Sequence, residues 1–365
     1  MSETGACIEI KNLCKIFGAS PAAYVDAINS GGISKSELMS RHSHVLGLKN
    51  ISISIPAGSI QVIMGLSGSG KSTLIRHINR LIDPTAGRIV VNGIDVMGLN
   101  KTELQDFRRH QTAMVFQKFA LLPHRTVLKN VVYGLEIQGV PLARQMEAGM
   151  RWIERVGLKG FENHYPSQLS GGMQQRVGLA RALTNDAPIL LMDEAYSALD
   201  PLIRMDMQTV LLDLQKEIKK TIVFITHDLD EALRLGDRIA ILRNGEVIQQ
   251  GTSQDIVLRP ADDYIASFAR EVNRGRVLHV ETVMTPLGGA AIARPAATIE
   301  AGETLETAAR LLTQANESEA IVIDTMRRPV GRISLQQVAR AMVTPNTAKE
   351  AGDTVESLSQ ATAAS

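Results

Sequence analysis

The stretch Gly65-Leu-Ser-Gly-Ser-Gly-Lys71-Ser72-Thr73 fits the pattern G-x-x-x-x-G-K-[ST], which forms a loop around phosphate groups. An apolar run over residues 60–64 precedes it, and a helical pattern over residues 74–81 follows it. The motif requires this order of strand, loop and helix, because glycines let the backbone approach phosphate oxygens and a helix N-terminus favours negative charge. The sequence therefore predicts a phosphate-binding loop. Its expected binding residues are Gly65, Ser67, Gly68, Gly70, Lys71, Ser72 and Thr73.

Two side chains of this loop have distinct expected roles. Lys71 is expected to reach the β- and γ-phosphates of a nucleotide, and the Ser72 hydroxyl is expected to bind Mg²⁺. A chance glycine-rich turn is the alternative interpretation. The strand and helix that flank the loop make that alternative the weaker one.

The bulk composition narrows the class of protein. With 365 residues, of which 44% are hydrophobic, the chain is long enough for one large and one small domain. Its 39 basic and 38 acidic residues give no basic field of the kind that nucleic-acid binders carry, so we expect no nucleic-acid partner. The two cysteines, Cys7 and Cys14, fit a reducing compartment. We expect no secretory leader, because the first residues show neither a basic segment nor an apolar run after it. We expect no membrane span, because no apolar run approaches about 20 residues.

The order of patterns along the chain predicts an α/β fold. Residues 8–17 and 51–55 alternate between apolar and polar side chains, as antiparallel strands do. The polar segment 19–44 between them resembles an insertion. Residues 187–250 alternate between apolar strands and helical patterns, which indicates a parallel sheet.

A second group of candidate residues follows the apolar run over residues 189–192. Asp193 and Glu194 come directly after this run. In phosphate-loop ATPases a buried strand delivers acids at its carboxyl end, so Asp193 is expected to hold Mg²⁺ through water and Glu194 to act as general base. An Asp-Glu pair alone is usually a solvated loop. Its place after a buried strand, in a chain with a phosphate loop, favours the catalytic interpretation.

Three further segments belong to the same pattern. Leu169-Ser-Gly-Gly-Met-Gln-Gln-Arg176 opens a helix whose first residues are small, which predicts a second anion site. Ser197-Ala-Leu-Asp200 follows the acidic pair. Ile225-Thr-His227-Asp228 ends another apolar strand and offers an imidazole to a γ-phosphate.

Together these segments resemble the nucleotide-binding domain of ABC transporters over about residues 8–255. The resemblance implies ATP as the ligand, Mg²⁺ as its metal, and a domain with a parallel-sheet core, an antiparallel β subdomain and a helical subdomain at about residues 118–185. Gln117 is similar to the glutamine that contacts Mg²⁺ and senses the transmembrane partner. His227 is similar to the switch histidine. The catalytic residues implied are Lys71, Gln117, Glu194 and His227, and the metal-binding residues are Ser72, Gln117 and Asp193.

The resemblance also implies a second copy of the chain. Ser170, Gly171 and Gly172 are similar to the signature that contacts the γ-phosphate held by the opposing protomer, and Asp200 to the aspartate of the dimer seam. Two ATP molecules would then be sandwiched in a head-to-tail dimer. Many relatives carry glutamine at the position of Met173. We expect this difference to cost little phosphate binding, because the serine and the backbone amides before it make the contacts.

Phe17 is the candidate for the aromatic side chain that stacks on adenine. In this family it precedes the phosphate loop by a short distance, whereas Phe17 lies far upstream of Lys71. Phe17 can take this role only if the segment 19–44 loops out. A core phenylalanine is the other interpretation.

Several short segments of the sequence resemble segments of the ATPase subunit of the glycine betaine/proline betaine importers. Choline importers are a close branch of that family. The segments include Asn79-Arg-Leu-Ile82, Phe119-Ala-Leu-Leu-Pro-His124 and Ser197-Ala-Leu-Asp-Pro-Leu-Ile-Arg204. This resemblance implies uptake of compatible solutes with a separate permease, an extracytoplasmic binding protein and a peripheral place on the cytoplasmic face of the inner membrane. The ATPase of another small-solute importer, or a soluble ABC ATPase of repair or translation, is the alternative. The heptads or second cassette typical of the soluble class are not evident.

The C-terminal part has a pattern of its own. Val283-Met-Thr-Pro286 opens a β-α-β-β-α pattern that resembles a single CBS motif. Such motifs pack in pairs, so we expect it to pair with a second copy across the dimer, as a sensor of nucleotide or ionic strength or as a dimerisation element. The expected domains are an ABC ATPase over residues 1–271, a CBS-like α+β domain over 272–345 and a disordered tail over 346–365.

His42 and His44 form an H-x-H pair with no third candidate ligand nearby in the sequence. We therefore expect a surface loop there, not a metal site.

Overall fold

The computed structural model describes residues 6–117, 119–197, 199–270, 272–287 and 297–343. The chain divides into two compact units, the first ending at Ile256 and the second beginning at Val257. This division lies upstream of the boundary expected after residue 271. Within the second unit, the Arg274 guanidinium donates a hydrogen bond to the Val257 carbonyl over 3.3 Å, which ties the segment near residue 257 to the residues that follow.

The strands account for three sheets in the described residues. They are β1 (Ala6–Phe17), β2 (Val45–Pro56), β3 (Ile60–Met64), β4 (Ala86–Val91), β5 (Ile94–Asp95), β6 (Thr112–Val115), β7 (Ile189–Asp193), β8 (Thr221–Thr226), β9 (Arg238–Arg243), β10 (Glu246–Gly251), β11 (Thr285–Pro286), β12 (Thr298–Glu300), β13 (Glu319–Ile323) and β14 (Pro329–Ser334).

The helices lie between these strands. They are α1 (Val25–Asn29), α2 (Lys35–His42), α3 (Lys71–Ile78), α4 (Lys101–His110), α5 (Val127–Val131), α6 (Tyr133–Ile137), α7 (Leu142–Arg155), α8 (Gly171–Thr184), α9 (Pro201–Ile218), α10 (Leu229–Leu235), α11 (Ser253–Leu258), α12 (Asp263–Ala269), α13 (Arg274–Val277), α14 (Val280–Val283), α15 (Leu305–Ala315) and α16 (Leu335–Met342). In the described ranges, none of them is both long and apolar enough to cross a bilayer.

A six-stranded sheet forms the centre of the first unit, in the order β10-β9-β3-β8-β7-β6. Neighbouring strands from β9 to β6 run parallel, and only β10 pairs in the antiparallel sense. Every residue of β3, β7 and β8 is buried, which explains why these strands are nearly continuous apolar runs. The predicted α/β class with a parallel-sheet core is confirmed.

An antiparallel sheet, in the order β2-β1-β4-β5, packs over this centre. Along β2 the buried side chains alternate with exposed ones, so one face is apolar and the other meets solvent. The apolar face shares one hydrophobic cluster with α3 and the parallel sheet. Members of that cluster include Ile8, Ile53, Leu74, Val223 and Leu242.

Residues 18–44 leave the antiparallel sheet and return to it at the same point, because Phe17 pairs with Val45 across β1 and β2. The Ser34 hydroxyl accepts the backbone N–H of Glu37 over 3.1 Å and so starts α2. The segment has its own small core, which α1 and α2 form with the ends of both strands. The core residues are Ile16, Ile28, Leu38 and Leu46.

His44 does not lie in a surface loop, contrary to expectation. Its side chain is buried under the ring of Tyr24, at a centroid distance of 4.6 Å. Its ring nitrogens lie 2.6 Å from the backbone oxygens of His42 and Ala19, so both are occupied by the chain itself. Among the residues that the structure describes, no cluster of three histidine, cysteine, aspartate or glutamate side chains could hold a metal ion.

The second unit contains a four-stranded sheet in the order β11-β14-β13-β12. The succession β12, α15, β13, β14, α16 is the β-α-β-β-α order of the sequence pattern. The Gln337 amide of α16 donates to the Thr285 hydroxyl over 2.9 Å, which attaches the Met-Thr-Pro segment to this unit. The core consists of residues such as Ile299, Leu312, Val322, Ile333 and Val338. The predicted tail over residues 346–365 lies outside the described part of the chain.

The small core of the segment 18–44 predicts a difference between neighbouring positions of α2. Leu38 is fully buried, so Leu38→Ala should lower the free energy of unfolding by about 2–5 kcal/mol through the cavity it leaves. Met39 is 58% exposed, so Met39→Ala should change it by less than about 0.5 kcal/mol. The measurement is urea denaturation followed by fluorescence of Trp152, the single tryptophan of the chain. Equal effects of the two variants would contradict the packing described for α2.

Candidate nucleotide site

Four segments of the chain end on one edge of the parallel sheet. Asp193 of β7 pairs with Ile225 of β8, and Met64 of β3 pairs with Thr226, so these strands end at the same level. Strand β6 ends beside them. In sheets of this kind the carboxyl ends of the strands form the ligand site. The edge gathers the phosphate loop after β3, Gln117 after β6, Asp193 and Glu194 at the end of β7, and His227 after β8.

The phosphate loop needs glycine at two of its positions. Gly65 has φ of 153°, and a Cβ atom there would lie 2.2 Å from the Leu242 carbonyl oxygen. Gly70 has φ of 104°, and its Cβ atom would lie 2.7 Å from the carbonyl oxygen of Gly47. These approaches leave no room for a side chain. Helix α3 starts directly after Gly70, so the loop wraps around the N-terminus of this helix.

The Lys71 side chain is buried and folds back into the loop. Its ammonium group donates to the carbonyl oxygen of Gly65 over 2.7 Å and to that of Leu66 over 3.2 Å. It also forms an ion pair with Glu194, with 3.3 Å between Nζ and Oε1. The predicted phosphate-binding lysine and the predicted general base are therefore in direct contact.

Glu194 is the residue on which the candidate catalytic side chains converge. The Gln117 amide donates to Oε2 of Glu194 over 2.9 Å, and Nδ1 of His227 lies 3.9 Å from the same oxygen. The backbone of Glu194 has φ of 47°, a left-handed conformation that costs a non-glycine residue energy. The contacts around Glu194 must hold it in this conformation.

The Asp193 carboxylate is almost completely buried and accepts two hydrogen bonds. The Ser72 hydroxyl donates to Oδ1 over 2.7 Å, and the Arg76 guanidinium donates to Oδ2 over 3.0 Å. Ser72 and Asp193, with the amide oxygen of Gln117, offer the set of hard oxygen ligands that Mg²⁺ prefers. The predicted metal-binding residues therefore have the right chemistry for this ion.

Arg76 is a residue of this site that the sequence analysis did not identify. It lies four positions after Ser72 on α3, which places the two side chains on the same face of the helix. The spacing from Ser72 could have identified Arg76 from the sequence, but the phosphate-loop motif itself ends before Arg76.

Phe17 lies beside the phosphate loop in spite of its distance along the sequence. A Cβ atom on Gly47 would lie 2.8 Å from the Phe17 ring, and the carbonyl oxygen of Gly47 in turn adjoins Gly70. Phe17 is 40% exposed, and the Lys15 ammonium lies 5.0 Å from the centroid of its ring. This exposure is unlike that of a core residue. Stacking of adenine on Phe17 remains a prediction.

The signature residues and Asp200 form a separate group. The Ser170 hydroxyl caps α8, which begins at Gly171, and the Asp200 carboxylate caps α9. The two helix starts adjoin, because a Cβ atom on Gly172 would lie 2.7 Å from the Ile203 side chain. In the described part of the chain, no hydrogen bond or ion pair joins either helix start to the phosphate loop or to Glu194. Such a separation between the helix starts and the phosphate loop is expected of a site that a second copy of the chain completes.

Burial shifts the pKa of two ionisable side chains on helices that follow segments of the site, α3 and α10. Burial lowers the pKa of His77 on α3, whose Nδ1 lies 2.6 Å from the Thr73 carbonyl oxygen. Burial also raises the pKa of Glu231 on α10, which accepts a hydrogen bond from the Gln208 amide over 3.0 Å. Both shifts favour the neutral forms.

Comparison with known proteins finds close relatives. A family model described as ABC transporter matches residues 48–197. The glycine betaine transport ATP-binding protein OpuAA of Bacillus subtilis is 45% identical over 92% of this chain and 78% of its own length. The glycine betaine/proline betaine transport system ATP-binding protein ProV of Escherichia coli is 44% identical over 92% of this chain and 82% of its own length.

A solved structure shares the fold of about two thirds of the chain. The dimeric structure of MJ0796, a bacterial ABC transporter cassette, is 34% identical, has a TM-score of 0.58, and covers 67% of this chain and 98% of its own. The identity and coverage of these relatives confirm the resemblance found in the sequence. The chain therefore belongs to the ATP-binding subunits of ABC transporters and is an ATPase of that family.

Proposed function

We propose that this chain hydrolyses Mg²⁺-ATP to energise import of a quaternary ammonium compatible solute, such as glycine betaine, proline betaine or choline, through a separate permease. The observation that carries the ATPase part is the convergence of Lys71, Gln117 and His227 on Glu194 at one sheet edge. The substrate class rests on the names of the two relatives, whose matches extend over most of their length.

The phosphate loop would hold the nucleotide through its backbone and through Lys71. To reach the β- and γ-phosphates, the Lys71 ammonium exchanges its two carbonyl partners and Glu194 for phosphate oxygens. Thr73 and the glycines of the loop complete the cradle, and Phe17 would stack on the adenine. Ser72, Asp193 and Gln117 would hold Mg²⁺. When bound, this ion supplies positive charge that stabilises the charge developing on the phosphoryl oxygens.

Glu194 would act as the general base. Release of Lys71 to the phosphates leaves the carboxylate free to orient a water molecule and accept its proton. The Gln117 amide, which donates to Oε2 over 2.9 Å, fixes the direction of the carboxylate. His227 lies on the same side and is 54% exposed, so its imidazole can turn from Glu194 to a γ-phosphate.

A second copy would complete the site in a head-to-tail dimer. Ser170, Gly171 and Gly172 of one protomer would contact the γ-phosphate that the other protomer holds, and Asp200 would line the seam. The adjoining starts of α8 and α9 would make these residues move as one block. ATP would close the dimer and hydrolysis would reopen it. The structure of the MJ0796 cassette, a similar protein, is dimeric, which supports the proposal of a dimer.

The remaining partners follow from the proposed transport. The helical region after Gln117 would pass the closure to an integral membrane permease, and an extracytoplasmic protein would deliver the solute. The chain would lie on the cytoplasmic face of the inner membrane, with no nucleic-acid partner.

The C-terminal unit would serve as a CBS-like regulatory or dimerisation domain that pairs with a second copy, since its β-α-β-β-α order supports that family of folds.

Replacement of the general base should separate ATP binding from hydrolysis. Glu194→Gln should retain ATP binding and lower the hydrolysis rate by about 10²–10⁴-fold, because proton acceptance is lost. Measurement of ATP turnover and of dimer formation by light scattering should find a stable closed dimer. Glu154→Gln, which alters an exposed ion pair with Lys159, is the matched control and should turn over at the wild-type rate. Rapid hydrolysis by Glu194→Gln would contradict the assignment.

Uptake of labelled glycine betaine should depend on the phosphate loop. In cells that lack their own carrier and express the permease genes with this chain, Lys71→Ala should abolish uptake, because the β- and γ-phosphates lose their lysine. Lys159→Ala, at an exposed position, should leave uptake unchanged. Strong competition by choline would assign the choline branch. Wild-type ATPase activity without uptake would overturn the substrate assignment and leave the ATPase part standing.

A further inference from the structure

The buried carboxylate of Asp193 requires a compensating positive charge. Only 2% of this side chain is exposed, and an ionised carboxylate without a partner in such a place is strongly unfavourable. Ser72 contributes a neutral hydroxyl, which satisfies one oxygen but not the charge. Lys71 is directed elsewhere, to Glu194 and to the loop carbonyls. The charge on Asp193 is therefore balanced by Arg76.

The sequence explains why Arg76 reaches this carboxylate. Helix α3 begins at Lys71, and residues four apart on a helix share a face. Ser72 and Arg76 have that spacing, so one helix presents a hydroxyl to Oδ1 and a guanidinium to Oδ2.

We propose that Arg76 is a positioning residue that sets the affinity of the metal site. This inference rests on the proposed function, because it takes Asp193 and Ser72 as residues that hold Mg²⁺. Arg76 occupies Oδ2 and fixes the plane of the carboxylate. Its positive charge also opposes a divalent cation beside Asp193, so the cation binds well only when nucleotide phosphates add negative charge. The site thereby favours Mg²⁺ that arrives with a nucleotide over Mg²⁺ alone.

The test is the affinity for Mn²⁺ of the full-length chain saturated with ADP, followed by the electron paramagnetic resonance signal of free Mn²⁺. Arg76→Gln should bind Mn²⁺ about threefold to tenfold more tightly than wild type, because a partly exposed opposing charge is removed. Arg76→Lys keeps the charge and should bind Mn²⁺ as wild type does. Arg88→Gln removes the same charge from an exposed ion pair with Asp95 and should have no effect.

Unchanged or weaker Mn²⁺ binding by Arg76→Gln would overturn the proposal. A thermal unfolding transition shows that each variant is folded. If Arg76→Gln does not fold, Mn²⁺ binding is measured with Arg76→Met in its place. A role confined to stability would lower the melting temperature without altering the Mn²⁺ affinity, and that result also overturns the proposal. If the wild-type chain binds neither ADP nor Mn²⁺, the proposed function itself fails. Binding by wild type with no shift in the variants refutes the role of Arg76 alone.

Discussion

Two consecutive carboxylates at the end of a fully buried strand impose the main constraint on this structure. Asp193 and Glu194 bring two negative charges to the edge of a sheet whose interior is apolar. Such charges persist only with close partners. The chain provides one cation for each, Arg76 for Asp193 and Lys71 for Glu194. Both cations come from α3, so the helix after the phosphate loop balances Asp193 at the end of β7 and Glu194 directly after it.

The parallel sheet turns this local balance into a site. Because β3, β8 and β7 are in register at their carboxyl ends, residues that are far apart in the sequence meet there without long loops. The insertion 18–44 does not disturb this arrangement, since its two ends pair in the antiparallel sheet. It carries its own small core, and the pairing of its two ends keeps Phe17 next to the phosphate loop.

Much of the site was predictable because its chemistry is encoded in contiguous motifs. The phosphate loop, the two acids at the end of the apolar run in β7 and the histidine after β8 each combine an apolar strand with polar residues at its carboxyl end. Parallel pairing of the strands then brings these residues together. Arg76 was missed because its role depends on helix geometry beyond the motif. Burial of His44 was missed because a polar segment gave no sign of a second core. The contact of Lys71 with Glu194 depends on side-chain conformation, which no sequence pattern encodes.

The partners of Lys71 have a consequence for measured nucleotide affinity. The ammonium group already has three oxygen partners within the chain, so binding a phosphate exchanges one set of contacts for another. The observed dissociation constant therefore reports the difference between these sets, not the strength of the phosphate contacts alone. A substitution that removes the charge of Glu194 weakens the internal set and leaves the phosphate contacts of the loop in place. Tighter nucleotide binding by such a variant would then reflect a lost competitor, with no new contact to the nucleotide.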